Sequence, residues 1–156
     1  LKDKKETKQM PIRPIPVGYH TVTPYLTVKG AKKLIEFLEE AFGAKRLRQT
    51  VRPDGSVGNA EVLIGNSMVM ISDATEQWLP MVSSIYLYVE DTDRIYKKAI
   101  EAGAESLYEP MDMFYGDRNA GIKDMFGNFW WIATHIEDVS DEEIQRRENL
   151  RMEHSA

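Results

Sequence analysis

From Ala31 to Phe42 the apolar residues Ala31, Leu34, Ile35, Leu38, Ala41 and Phe42 recur at helical spacing, and Gly43 follows as a stop. The spacing predicts an amphipathic helix. Ahead of it HTVTPYLTV, starting at His20, alternates and is rich in β-branched residues, which predicts a strand that tolerates Pro24 near a sheet edge or bulge. Behind it three short runs over 45–51, 58–64 and 67–72 read as strands, divided by the turn signals Pro53-Asp54-Gly55 and Gly65-Asn66. The order β, α, β, β, β then starts again. A strand over 84–89 is followed by Asp91 as an N-cap, by a helix over 92–102 with Ile95, Ala99 and Ala102 inward, and by Gly103 as a stop. Further strands are predicted near 106–108, 119–123 and 129–134, the last two divided by Asp124-Met125-Phe126-Gly127-Asn128.

The repetition reaches single residues. YLTVKGAKKLIEFLEEAFGA from Tyr25 lines up with YLYVEDTDRIYKKAIEAGA from Tyr86, matching Tyr25 to Tyr86, Leu26 to Leu87, Val28 to Val89 and, after a one-residue deletion, Gly43 to Gly103. The predicted fold is α+β, two βαβββ modules. Pro11, Pro14 and Pro16, without periodicity around them, make residues 1–18 an extended arm. The domain is expected over 19–138, with module one at about 19–73 and module two at about 84–135. Residues 139–156 form a terminal helix and tail, because Ser140 and Glu143 make a capping box before a polar stretch ending near Met152. That helix is read as a packing or dimer-contact element.

Composition narrows the class. The 156 residues are 42% hydrophobic and 29% charged, a globular balance that predicts one core. There is no cysteine, so disulfides, thiolate metal sites and thiol nucleophiles are excluded, and a reducing, cytoplasmic setting is expected. A net charge of −5 without a basic stripe argues against nucleic acid. No apolar run has the length of a membrane span, and LKDKKETKQ lacks the apolar stretch of a signal peptide. The chain opens on Leu1 in place of Met, as expected of a sequence shorter than its translated product.

The segments TPYLTVKGAKKLIEFLEEAFGA, NAEVLIGNSMVMISDA, YLYVED and FYGDRNAGIKDMFGNFWWIATHIEDVS resemble the vicinal oxygen chelate superfamily, which includes glyoxalase I, bleomycin-resistance proteins and extradiol dioxygenases, and within it the PhnB-like branch. The resemblance runs from about Gly18 to Arg146. It implies that the two modules curl into a U-shaped mixed sheet with a ligand cleft inside and helices outside, and a homodimer in which modules are sometimes exchanged between chains. It also implies a divalent metal held by His and Glu, polarising vicinal substrate oxygens as a Lewis acid. At the positions that the resemblance assigns to those ligands, this chain carries Thr23, Ser84 and Trp131, and Asn59 where relatives often have a His. Hydroxyls, an amide and an indole are poor ligands for zinc, nickel or iron. His20, His135 and His154 are read as surface or structural residues. No metal and no cofactor is therefore expected.

Alternation sets Thr23, Tyr25 and Thr27 on one face of the first strand, and Ser84, Tyr86 and Tyr88 on the matching face of its repeat. This polar and aromatic face is assigned to the cleft, with Asn59, Glu61 and Trp131, as a pocket for a small aromatic or amphipathic ligand. Glu61 is a candidate general base, or a partner for a cationic ligand. Tyr115-Gly116-Asp117-Arg118 is the densest cluster of functional groups. Arg118 there is open to two readings, an anion clamp or electrophile oriented by Asp117, and an ion pair with Asp117 at a turn. Two functions follow: a metal-free protein that sequesters or carries a small molecule, and a lyase, isomerase or dioxygenase with metal or acid–base chemistry.

Overall fold

The computed structural model describes residues 11–155, so most of the predicted arm lies outside the described residues. Residues 11–18 carry no helix or strand. The elements follow in the order β1 (Tyr25–Val28), α1 (Ala31–Phe42), β2 (Lys45–Val51), β3 (Val57–Ile64), β4 (Ser67–Asp73), β5 (Ser84–Tyr88), α2 (Thr92–Glu101), β6 (Glu105–Asp112), β7 (Asp117–Lys123), β8 (Phe129–His135) and α3 (Asp141–Glu153). This is the predicted βαβββ order, twice. Each module forms its own mixed sheet, ordered β1-β4-β3-β2 and β5-β8-β7-β6, in which the first strand runs parallel to the last and the other pairs are antiparallel. Among the described residues no helix is long and apolar enough to cross a membrane.

Local chemistry accounts for the boundaries. The strand expected from His20 begins only at Tyr25. Pro24 has no N–H to give the ladder, although its carbonyl still accepts from the Met70 N–H at 2.9 Å. Helix α1 has no capping side chain at Gly30. Asp73 at the end of β4 supplies the cap: its Oδ1 accepts from the Gly30 and Ala31 N–H groups at 2.8 Å each, and its Oδ2 from Val57 N–H at 2.7 Å. Asp91 caps α2 and Ser140 caps α3 through the N–H groups three residues on, as predicted. Strand β6 runs to Asp112, well past the predicted 106–108. It is an exposed edge strand with Pro110 and a bulge near Tyr108, so it carries no clean alternation.

The core is one cluster shared by both modules. Leu26, Val28, Val62 and Ile71 pack under α1, and Ile122, Trp130 and Ile132 line the helix-bearing face of the second sheet. Phe37 lies off the predicted apolar face of α1 and is nevertheless buried, packed edge-on against Phe42 with ring centroids 5.7 Å apart. Phe42 in turn meets Trp130 at 5.1 Å, so α1 serves its own sheet and the opposite module. Among the described residues no strand of one sheet contacts a strand of the other; the modules are joined through α1 and α2.

Candidate functional site

Register places equivalent rows on the faces opposite the helices. In the first module the row is Tyr25, Met70, Glu61 and Arg48; in the second it is Tyr86, Trp131, Gly121 and Tyr108. The second row is an aromatic platform. The rings of Tyr108 and Trp131 lie 6.1 Å apart at 19°, and Phe129 continues the surface 5.9 Å from Trp131 at 5°. Gly121 makes this possible, because a Cβ there would sit 2.7 Å from Tyr108 Cε1 and 3.0 Å from Trp131 Cζ3. Tyr25, Tyr86 and Tyr88 remain 52%, 42% and 62% exposed, so neither face is closed within one chain. A groove of about 990 Å³ runs along β5 between the modules, bordered by Tyr86, Tyr88 and His135 and floored by Phe42, Leu87 and Trp130. Of the residues assigned to the cleft from sequence, Tyr86 and Tyr88 border this groove, whereas Thr23, Tyr25, Thr27, Asn59, Glu61, Ser84 and Trp131 lie outside it.

A hydrogen-bond network stands beside the platform. Asp117 is only 3% exposed. Its Oδ2 accepts from the Tyr86 hydroxyl at 2.8 Å and the Tyr88 hydroxyl at 2.9 Å, and Tyr115 reaches Tyr86 at 3.3 Å. Its Oδ1 faces His135 Nδ1 at 3.0 Å, and His135 Nε2 faces Asp138 at 2.8 Å. Burial alone would raise the Asp117 pKa, but His135, Tyr86 and Tyr88 together hold it below the usual carboxylate range. A ring between two carboxylates is best served by donating from both nitrogens, so the two contacts favour the protonated form of His135. Asp138 and then Asp117 push its pKa up. Burial, followed by the Tyr115 and Asp117 contacts, pushes the Tyr86 phenol up as well.

The predicted pairing of Asp117 with Arg118 is not what the structure forms. Consecutive strand residues point to opposite faces, so Arg118 leaves the platform side and binds Asp93 at 2.8 Å and Asp112 at 2.9 Å. His135, read from sequence as a surface or structural residue, belongs to the network; it shares the parity of Trp131 along β8, which is the signal that marks its face. Asn119 went unnoticed too, although Asn119-Ala120-Gly121-Ile122 repeats Asn59-Ala60-Glu61-Val62. Asn119 accepts from the Tyr108 hydroxyl, and its Nδ2 and the Asn59 Oδ1 are both buried without a partner. Glu61 lies 3.9 Å from Arg48, beside the buried Tyr19 hydroxyl.

The donor set does not fit a divalent metal. Thr23 Oγ1 donates to the His20 carbonyl at 3.2 Å, and Trp131 Nε1 donates to Ser84 Oγ at 2.9 Å, so two of the positions in question are bonded to each other. Among the described residues there is no group of three or more His, Cys, Asp or Glu side chains placed to hold an ion.

Known proteins share this architecture. An uncharacterized protein of Mycobacterium bovis is 30% identical over 135 residues, covering 80% of this chain and 89% of its own. The crystal structure of TioX from Micromonospora sp. ML1 has a TM-score of 0.65 at 20% identity, covering 75% of this chain and 99% of TioX. A Bacillus cereus structure described as a putative 3-demethylubiquinone-9 3-methyltransferase, PhnB protein, reaches 0.60 at 14% identity, covering 74% and 99%. The sequence profile of one family matches residues 19–132, and the chain belongs to that family, the Glyoxalase/Bleomycin resistance protein/Dioxygenase superfamily.

Proposed function

We propose that this protein binds a small planar aromatic or amphipathic organic molecule, without a metal, and sequesters or carries it. The carrying observation is the row Tyr86, Trp131, Gly121 and Tyr108, in which the near-parallel Trp131 and Tyr108 rings close over a glycine on a half-buried sheet face. Such a surface has no structural need to be bare. Each ring that a planar ligand covers adds stacking to apolar burial. Thr23, Tyr25, Asn59, Ser84, Tyr115 and Asp117 are proposed as the polar and aromatic surroundings of the ligand. Glu61 is kept as its acidic reader and Arg118 as a scaffold residue, because Arg118 is spent on Asp93 and Asp112.

The platform is open in one chain, and a homodimer that brings the first sheet of one copy over the second sheet of another would close it. A PhnB-like assignment within the superfamily is proposed on the segments quoted above, and a cytoplasmic location on the absence of cysteine.

Quenching of tryptophan fluorescence by a panel of planar aromatic compounds tests the reading. Trp131 is the tryptophan on the platform, whereas Trp130 is buried against Asp124 and Trp78 lies in an exposed loop. Saturable quenching that Trp131→Ala removes is expected. Quenching by no member of the panel, or quenching indifferent to Trp131→Ala, would overturn it.

A further inference from the structure

The hydroxyl hydrogens around Asp117 can be counted. Its Oδ2 has no hydrogen to give, so those in the 2.8 Å and 2.9 Å contacts come from Tyr86 and Tyr88. A phenol carries one hydrogen. Tyr86 has spent its own on Asp117, and the 3.3 Å contact between Tyr86 and Tyr115 is therefore donated by Tyr115. The Tyr86 and Tyr88 hydrogens both point at Asp117, so the Tyr88 oxygen has lone pairs left to accept from a ligand, as does the Tyr115 oxygen beside it.

Charge and shape agree with that count. The Tyr86 and Tyr88 rings, with centroids 5.2 Å apart, border the groove along β5 and are accessible. Asp117 stands behind their hydroxyls, with His135 on its far side between it and Asp138. Ring faces and hydroxyl lone pairs in front of a carboxylate form a surface that attracts cations, and Arg94, a cation lining the same groove, lies 4.0 Å from Asp91. Tyr86 is also the direct neighbour of Trp131 in the sheet.

We propose that Tyr86, Tyr88 and Tyr115 form a subsite for an organic ammonium group, whose N–H donors meet the Tyr88 and Tyr115 oxygens while its charge lies against the rings in front of Asp117. The inference rests on the aromatic-binding reading, since the planar part of the same molecule occupies the Trp131 platform. It specifies the ligand as a planar aromatic ring system that bears a protonated alkylamine.

Calorimetric titration of the full chain at neutral pH with 2-naphthylmethylammonium, 2-naphthylmethanol and 2-naphthoate separates the two proposals. The ammonium compound is expected to bind about tenfold more tightly than the alcohol, with the carboxylate weakest. Tyr88→Phe, at an exposed position, is expected to weaken the ammonium compound about fivefold and leave the alcohol unchanged. Equal binding of ammonium and alcohol overturns the subsite and leaves the platform standing, as does a Tyr88→Phe variant that binds the ammonium compound normally. If none of the three binds, both readings fall.

Discussion

Gly116 links β6 to β7 with φ at 101°, and a Cβ there would stand 2.2 Å from the Glu137 carbonyl oxygen. The approach is fixed by backbone, because the Gly116 carbonyl accepts from the Ile136 and Glu137 N–H groups at 2.9 Å and 3.0 Å. Gly116→Ala is expected to cost about 3 kcal/mol or more, read as a lowered midpoint in urea unfolding. Gly121→Ala is a different case, since the colliding atoms are ring edges that can move. It is expected to cost only about 1–2 kcal/mol of stability while abolishing quenching by planar ligands, the two effects being read on the same sample. The network around His135 makes stability depend on pH. Its pKa is raised on folding, so the stabilisation is fully present below the unfolded value and is lost as pH rises through the folded one. His135→Gln should therefore flatten the alkaline side of the stability profile, and an unchanged profile would contradict the imidazolium assignment. The parity of His135 was legible in the sequence. Its charge state was not, because it depends on Asp117, eighteen positions away and on a neighbouring strand.

At the scale of elements, α1 illustrates how a helix with a clear hydrophobic period can hide its cap. Its periodicity is local and was readable; its N-terminal acceptor comes from Asp73, more than forty residues on. Burial acts to raise the Asp73 pKa, yet the N–H groups of Ala31, Val57 and Gly30 and the Arg52 charge bring it below the ordinary value. That contribution is present above the unfolded carboxylate pKa and fades as pH falls through the folded one. Asp73→Ala is expected to lower stability by about 1–3 kcal/mol at neutral pH, and by progressively less in acid, measured by unfolding at several pH values. The strands divide in a similar way. β3 and β4 carry buried positions that betray them, whereas β6 is exposed along its length and is a strand only because β7 lies beside it. The same physics separates Asp117 from Arg118: adjacency in sequence suggested a pair, and a strand sends neighbours to opposite faces.

For the whole molecule, the decisive contact is between modules. Phe42 of the first lies against Trp130 of the second, within a core that includes residues of both. One cooperative unfolding transition is expected despite the internal repeat, and Phe42→Ala should lower its midpoint by about 3 kcal/mol without splitting it. Two resolved transitions in calorimetry would mean that the modules fold separately. The open platforms bear on assembly: sedimentation equilibrium should give about twice the 17.9 kDa chain mass if a second copy closes them. A monomer that still binds planar ligands would locate the site on one sheet alone.

What is periodic or short-ranged can be read along the chain: two βαβββ units, the helix stops, the caps at Asp91 and Ser140, and the faces of the strands on which Tyr25, Tyr86 and Trp131 lie. These follow from repeats of about two and 3.6 residues, which each segment carries within itself. Which partners meet across those faces is set by the folded arrangement. It sent Arg118 to Asp93, gave Asp73 to α1, set His135 between two carboxylates and turned the Tyr86 and Tyr88 hydroxyl hydrogens toward Asp117. Each of these contacts joins residues from different elements or a strand and the loop beyond it, and their energies depend on distances and desolvation that no local pattern encodes.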